Sequence, residues 1–148
     1  MGSRLDVGRC WNFNDDEQPA YPTIEVTLSA SGRRVSVRPK VDTGFNGSVA
    51  IGSSDVKRLR LTPAGTVLVK TATGANEVPV YLVKITQPQL AIAHTTLAVG
   101  TERSLVGRKL LQNRTWLLDC REGRFCIAIR TGPRRADADS ATGYRTSP

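Results

Sequence analysis

The chain has few of the residues on which many metal and nucleophilic sites depend. Among 148 residues there is one histidine (His94) and three cysteines (Cys10, Cys120 and Cys126), with no Cys-X-X-Cys pair. A zinc site of the His/Cys type lacks ligands, and a Cys–His catalytic pair is disfavoured, with Cys120 and His94 left as the combination still open. An odd number of cysteines argues against a disulfide framework. We therefore expect no metal, and we expect the cysteines to be small apolar fillers.

Long apolar runs are also missing. A membrane helix needs ~20 apolar residues, and the longest candidate, "LAIAHTTLAVG", is broken by His94, Thr95 and Thr96. The first ten residues, "MGSRLDVGRC", have no apolar core of the kind that a signal peptide carries. These absences predict a cytoplasmic protein with no membrane contact.

Aromatic residues make up only 5% of the chain, although its formal net charge is +8 and its pI is about 10.0. The basic residues are scattered over "GRRVSVRPK", "DVKRLR", "VGRKLLQNR" and "GPRR", with few aromatics among them. A surface that binds nucleic acid gathers its charges on one face, usually with stacking rings. The pattern disfavours nucleic acid as the main partner.

Composition along the chain predicts one domain with loosely attached ends. Residues 1–18 are polar and contain an acidic "NDDE", and residues 131–148 are rich in Gly, Pro, Ser, Asp and Arg. Neither end has much apolar surface to bury. We expect a flexible N-terminal segment over 1–18, a folded domain over 19–130 and a disordered tail over 131–148.

The first half of the domain shows the alternation of β-strands. "TIEVTLSA" and "RRVSVRPKV" form a predicted hairpin that turns at Ser31–Gly32, and "SVAI" is a short apolar strand. "SSDVKRL" then predicts a brief helix, with Ser53 or Ser54 as its N-cap and Asp55 in its first turn.

The second half repeats this order. "TVLVKTATGANEVPVYLVKI" predicts a hairpin with its tip at Thr73–Gly74, "LAIAHTTLAV" adds a strand or a pair, and "SLVGRKLLQN" contains a short helix. "TWLLDC" and "RFCIAIR" are expected to close the sheet, with a Glu122–Gly123 turn that pairs Cys120 with Phe125. No helix is long enough for a βαβ crossover, so we expect an antiparallel all-β domain, closed or sandwiched, with one or two short helices.

One stretch carries candidate chemistry. "VDTGFNGSVAI" (41–51) places Asp42, Thr43 and Gly44 between two apolar strands. These residues suit an ordinary turn, and they could equally present a carboxylate at a cleft. The stretch resembles the active-site loop of retropepsin-like aspartic peptidases, and the bacterial single-domain branch is similar in having Phe45 and Gly47. "SLVGRKLL" resembles the second signature of that family.

The resemblance implies a fold and a reaction. The fold would be a small closed antiparallel β-barrel, and the reaction the hydrolysis of peptide or protein substrates by an aspartic endopeptidase without a cofactor. A water molecule is activated by two carboxylates that share a proton. Because the chain has a single Asp-Thr-Gly, the dyad would require a homodimer that brings two Asp42 residues together.

The resemblance also implies roles for the loop residues. Thr43 would hydrogen-bond to its counterpart across the dimer, Gly44 would bring an N–H close to the carboxylate, and Phe45 would wall the site. Gly47 would relax the exit from the loop. Asn46 stands where relatives have an acidic residue.

The second signature is expected to support this loop. Leu105, Val106 and Gly107 would pack beneath it, with Gly107 as the small residue that allows close approach. Arg108 would face Asn46, a weaker brace than an acidic residue, and Lys109 stands where the family usually has Asp or Asn.

The hairpin between the two signatures occupies the place of the family's flap. Its tip is expected to form a mobile lid over the cleft and consists of Thr71, Ala72, Thr73, Gly74 and Ala75. An alternative to the enzyme is a non-catalytic dimeric β-domain of the same fold that binds peptides or protein partners.

Overall fold

This computed structural model describes residues 4–132, which contain eleven strands and two short helices. The strands are β1 (Arg4–Asn12), β2 (Val26–Ala30), β3 (Arg33–Val37), β4 (Lys40–Val41), β5 (Val49–Gly52), β6 (Gly65–Thr71), β7 (Gly74–Gln87), β8 (Ile92–Thr101), β9 (Leu105–Val106), β10 (Thr115–Asp119) and β11 (Arg124–Thr131). The helices are α1 (Ser53–Leu59) and α2 (Arg108–Leu111), and a 3-10 turn spans Pro88–Leu90. The predicted mainly-β class is confirmed.

The larger sheet has the order β3-β2-β7-β8-β5-β9-β4, with β6 added to the outer half of β7. It curls into half a barrel. The expected closed barrel is not seen, because β3 and β4 stand at opposite ends of this order within residues 4–132.

Two pairings in this sheet are parallel, β4 with β9 and β5 with β8, so the expectation of a purely antiparallel sheet is wrong. A parallel pair needs a crossover, and a helix is only its commonest form. Here the intervening hairpins return the chain, so the absence of a long helix did not exclude parallel strands.

The smaller sheet has the order β1-β11-β10. The prediction of a flexible segment over 1–18 is therefore wrong for Arg4–Asn12, which pair with β11. The last hairpin, β10–β11, was expected to close the larger sheet. It forms the smaller sheet with β1 instead. Of the predicted tail, residues 133–148 lie outside the described residues.

A disulfide joins Cys10 of β1 to Cys126 of β11, and Cys120 is free and exposed. The expectation that all three cysteines are apolar fillers is wrong for this pair. The two cysteines lie directly opposite each other in the register of β1 and β11. Because the two cysteines are 116 residues apart in the chain, the local sequence could not predict that they lie close together.

The turn between β10 and β11 is longer than predicted. Asp119 pairs with Arg124 and Leu118 with Phe125, so the expected pairing of Cys120 with Phe125 is wrong. The backbone N–H of Glu122 donates to Oδ1 of Asp119 at 2.9 Å, which stabilises the longer turn.

The core of the larger sheet is aliphatic, and the smaller sheet adds an aromatic patch. The most deeply buried large side chains include Ile24, Leu28, Ile51, Leu59 and Ile85. In the smaller sheet the rings of Trp116 and Phe125 stack with centroids 4.8 Å apart, and Trp11 packs at their side. This packing attaches the smaller sheet to the rest of the domain.

Helix α1 begins and ends where the sequence predicted, at Ser53 and Leu59. The expected serine cap is wrong, because Gly52 is the N-cap and no side chain caps the helix. None of the described helices combines the length and the apolar character that crossing a membrane requires.

Candidate functional site

The loop that carries Asp42 is held by a strand inserted between its two arms. Strand β9 pairs in parallel with β4, which precedes Asp42, and antiparallel with β5, which follows the loop. Val106 of β9 is the common partner, since it lies opposite both Val41 and Val49. The two sequence signatures, some sixty residues apart, thus form one structural unit.

Four backbone hydrogen bonds fasten the loop to the second signature. The N–H of Asp42 donates to the carbonyl of Val106 at 2.9 Å, and the N–H of Gly107 donates to the carbonyl of Ser48 at 3.0 Å. The N–H of Arg108 donates to the carbonyl of Phe45 at 2.9 Å, and the N–H of Lys109 to that of Gly47 at 3.3 Å. Both arms and the bend between them are therefore fixed by main-chain contacts.

Gly107 has the role that the sequence predicted for it. A Cβ at this position would lie 2.4 Å from the carbonyl oxygen of Gly47 and 2.5 Å from that of Phe45. Its φ of −115° is open to any residue, so the close approach of the loop is what requires glycine. Val106 is fully buried beside it, whereas Leu105 is only half-buried.

Asp42 is half-buried, and its carboxylate is turned back onto its own loop. The N–H of Gly44 donates to Oδ1 of Asp42 at 2.9 Å, as expected, and the N–H of Phe45 donates to the carbonyl of Asp42 at 3.1 Å. A carboxylate held this way keeps a fixed direction and still reaches solvent.

The position of the Phe45 ring accounts for the glycine at position 47. A Cβ on Gly47 would lie 2.5 Å from Cζ of Phe45, and a Cβ on Gly107 would lie 2.6 Å from Cδ1 of the same ring. The ring is therefore folded over these two glycines. Glycine is therefore needed at position 47 to make room for the ring. The sequence analysis had expected a different role, in which Gly47 relaxes the exit from the loop.

Asp42 opens onto a cleft with a volume of about 510 Å³. Its lining is mostly charged and consists of Glu17, Lys40, Asp42, Glu102, Arg103 and Leu105. Leu105 was expected beneath the loop, but it forms part of this wall, and Val106 and Gly107 lie beneath the loop.

The cleft rim holds an ion-pair cluster that the sequence analysis missed. Glu17 accepts from Nη1 of Arg103 at 2.6 Å and lies 3.9 Å from Nζ of Lys40. Asp16 lies 3.9 Å from Nη2 of Arg103 and accepts from the hydroxyl of Tyr21 at 2.7 Å. Burial and this hydrogen bond raise the pKa of Tyr21 above its ordinary value of 10.0. The acidic "NDDE" run, residues 14–17, was the sequence feature that could have indicated this cluster.

A second missed network joins helix α1 to the residue before β9. The Ser104 hydroxyl donates to Oδ2 of Asp55 at 2.6 Å and accepts from the N–H of Gly52 at 2.8 Å. Asp55 is buried and also pairs with Arg58 at 3.0 Å. Because Ser104 immediately precedes β9, this network connects α1 to the strand beneath the Asp42 loop.

The residues predicted to form a flap make the end of the β6–β7 hairpin. Thr71 pairs with Gly74 and Lys70 with Ala75, with Ala72 and Thr73 in the turn. The hydroxyl of Thr71 donates to the carbonyl of Gly74 at 3.1 Å. All five predicted tip residues are exposed, and β6 pairs only with β7 in the part of the chain described. Mobility of this hairpin stays a prediction.

An apolar groove of about 520 Å³ lies at the base of the hairpin. Val56, Val78, Pro79 and Tyr81 are among its lining residues. Glu102 lines both this groove and the Asp42 cleft, so the two depressions meet at that side chain.

The remaining predicted contacts do not form within one chain. The side chains of Asn46, Arg108 and Lys109 are exposed, and no hydrogen bond or ion pair of these side chains occurs among residues 4–132, so Arg108 is not braced by Asn46. Thr43 is exposed as well, and its bond across a dimer stays a prediction.

Comparisons of the chain with family models, with curated proteins and with solved structures found no match. Over residues 4–132, no three His, Cys, Asp or Glu side chains are grouped closely enough to hold a metal ion.

Proposed function

We propose that this chain is an aspartic endopeptidase of the retropepsin type, with a catalytic dyad made of Asp42 from each of two protomers. The observation that carries the proposal is the clamped loop: β9 fixes both arms, and Gly44 holds the Asp42 carboxylate at a half-exposed position beside a cleft. An ordinary solvent-facing turn needs no such support.

The chemistry requires two carboxylates. Two full negative charges ~3 Å apart repel by ~5 kcal/mol at an effective dielectric of ~20, so the pair retains one proton over a wide pH range. The ionised member takes a proton from water, and the protonated member gives one to the carbonyl oxygen of the peptide bond. The chain has one Asp-Thr-Gly, so a homodimer supplies the second carboxylate.

The test compares wild type with Asp42→Asn on a mixed peptide library. Asn keeps the size and the oxygen that accepts from the N–H of Gly44, so fold and dimer are expected to persist. It cannot accept a proton from water, and the loss of a general base typically costs ~10²- to 10⁴-fold in rate. Asp15→Asn is the matched control, because Asp15 is exposed and forms no ion pair within the described range.

Two results would remove the peptidase proposal. Cleavage by Asp42→Asn near the wild-type rate would reduce Asp42 to a turn residue. Sedimentation that shows only monomer at micromolar concentration, with cleavage intact, would exclude the shared dyad.

A dimeric domain that binds peptides without cutting them is the second candidate. The exposed side chains of Asn46 and Arg108, which form no hydrogen bond with each other, favour it, because the second signature then supports the loop through main-chain contacts alone. Peptide binding by wild type without cleavage would select this candidate.

A further inference from the structure

Glu17 reaches the Asp42 cleft from a loop closed by its own backbone. The N–H of Asn14 donates to the carbonyl of Tyr21, and the N–H of Tyr21 to the carbonyl of Asn14, both at 3.0 Å. From this loop, Glu17 places its carboxylate on Arg103 at 2.6 Å and near Lys40 at 3.9 Å.

The two cations are positioned independently of Glu17. Lys40 belongs to β4, where it lies opposite Leu105, and Arg103 directly precedes Ser104 and β9. Nζ of Lys40 lies 4.9 Å from the ring centre of Tyr21, and Cζ of Arg103 lies 5.0 Å from it. Such contacts attract cations to an aromatic ring, so Lys40 and Arg103 keep their positions when Glu17 leaves.

Glu17 itself is held weakly. Its side chain is 48% exposed, and those of Lys40 and Arg103 are 37% exposed. Ion pairs of this exposure contribute little and are screened by salt. A ligand that enters the cleft can therefore exchange with Glu17 at low cost, provided that it brings a carboxylate for the two cations.

We propose that Lys40 and Arg103 form a carboxylate-binding subsite beside Asp42, filled by Glu17 in the free chain and by an acidic side chain of a peptide ligand in the complex. The proposal rests on the proposed function only in taking the ligand to be a peptide. Asp42 and Glu102 also line the cleft, but when a ligand carboxylate takes the place of the Glu17 carboxylate, the charge inside the cleft stays the same. A neutral or cationic side chain that displaces Glu17 leaves Lys40 without its ion-pair partner, and it leaves Arg103 with Asp16 alone, 3.9 Å from its Nη2.

The experiment measures binding separately from cleavage. Short fluorescein-labelled apolar peptides carry Glu, Gln or Lys at each position in turn, and their affinity for Asp42→Asn is measured by fluorescence anisotropy. At the favoured position the Glu peptide is expected to bind about fivefold more tightly than its Gln counterpart, as one exposed ion pair allows, with the Lys peptide weakest.

Second substitutions in Asp42→Asn identify the residues responsible. Glu17→Gln removes the internal occupant and is expected to strengthen binding of the Glu peptide about threefold to fivefold. Arg103→Gln is expected to abolish the preference for Glu over Gln, and Lys40→Gln to weaken it, so one informative variant remains if the other fails to fold. Asp15→Asn is the matched control and is expected to change nothing.

Four outcomes overturn the subsite: equal binding of Glu and Gln peptides at every position, tighter binding of Lys peptides, equal effects of Glu17→Gln and Asp15→Asn, or no binding of any peptide. Failure of the peptidase proposal is distinguishable. If Glu peptides bind more tightly than Gln peptides but wild type cleaves neither, the subsite is supported and the peptidase proposal fails. If wild type cleaves Glu and Gln peptides with equal KM, the peptidase proposal is supported and the subsite fails.

Discussion

Replacing Gly107 by alanine tests whether the packing of the Asp42 loop on β9 has been interpreted correctly. The new Cβ would lie 2.4 Å from the carbonyl oxygen of Gly47 and 2.5 Å from that of Phe45. Ordinary contact begins at 3.4 Å, so each oxygen must retreat by about 1 Å. These atoms belong to the backbone and cannot move aside as the end of a flexible side chain can.

The cost follows from that displacement. Overpacking a tight site typically costs about 1–3 kcal/mol. The same two oxygens accept from the N–H groups of Arg108 and Lys109 at 2.9 and 3.3 Å, and each weakened hydrogen bond adds about 0.5–1.5 kcal/mol. The expected loss in the free energy of unfolding is therefore about 2–6 kcal/mol, a fall in Tm of about 6–24 °C for a domain of this size.

Thermal and urea unfolding of Gly107→Ala, followed by circular dichroism, measures this loss. Gly65→Ala is the matched control: Gly65 lies in exposed β6, and the nearest atom to its added Cβ is 3.9 Å away. Alanine there is expected to be neutral or slightly stabilising. A melting temperature for Gly107→Ala within about 2 °C of that control, less than ~1 kcal/mol, would refute the steric argument and the loop geometry behind it.

Three further perturbations test other parts of the structure. Asp55→Ala removes the acceptor of the buried Ser104 hydroxyl and is expected to cost about 1–3 kcal/mol in urea unfolding; wild-type stability would contradict this network. Cys10→Ser, compared with wild type under non-reducing conditions, is expected to lower the free energy of unfolding by about 2–5 kcal/mol, and equal stability would show that Cys126 is unpaired. For Tyr21 the pKa is raised by folding, so its stabilising effect is complete below its unfolded pKa of 10.0 and is lost as the pH rises through the folded value. The stability difference between wild type and Tyr21→Phe is thus expected to be constant at neutral pH and to shrink above pH 10.0; a difference that grows would contradict it.

The sequence was sufficient for features encoded in neighbouring residues. The hairpin turn at Ser31–Gly32 has a positive φ at both residues, as the prediction of a turn there requires. The second hairpin turns at Ala72–Thr73, one residue before the predicted Thr73–Gly74. Helix α1 has its predicted bounds. Alternation of apolar residues and turn chemistry act over a few positions, so they can be seen in the chain itself. The need for glycine at position 107 was also foreseeable, because the resemblance placed that residue against the Asp42 loop.

Contacts between distant segments were decided only by the tertiary structure. Strand β1 looks polar and irregular, and it becomes a strand because β11 provides a hydrogen-bonding edge and the stacked aromatic rings provide a surface for Trp11. The Cys10–Cys126 disulfide depends on that same register. Likewise, Glu17 reaches the Asp42 cleft only because the backbone pair of Asn14 and Tyr21 folds its loop back there. Local sequence sets which residues can form a strand or a turn, whereas the partner that satisfies their hydrogen bonds, apolar surface and charge is chosen when the whole chain packs.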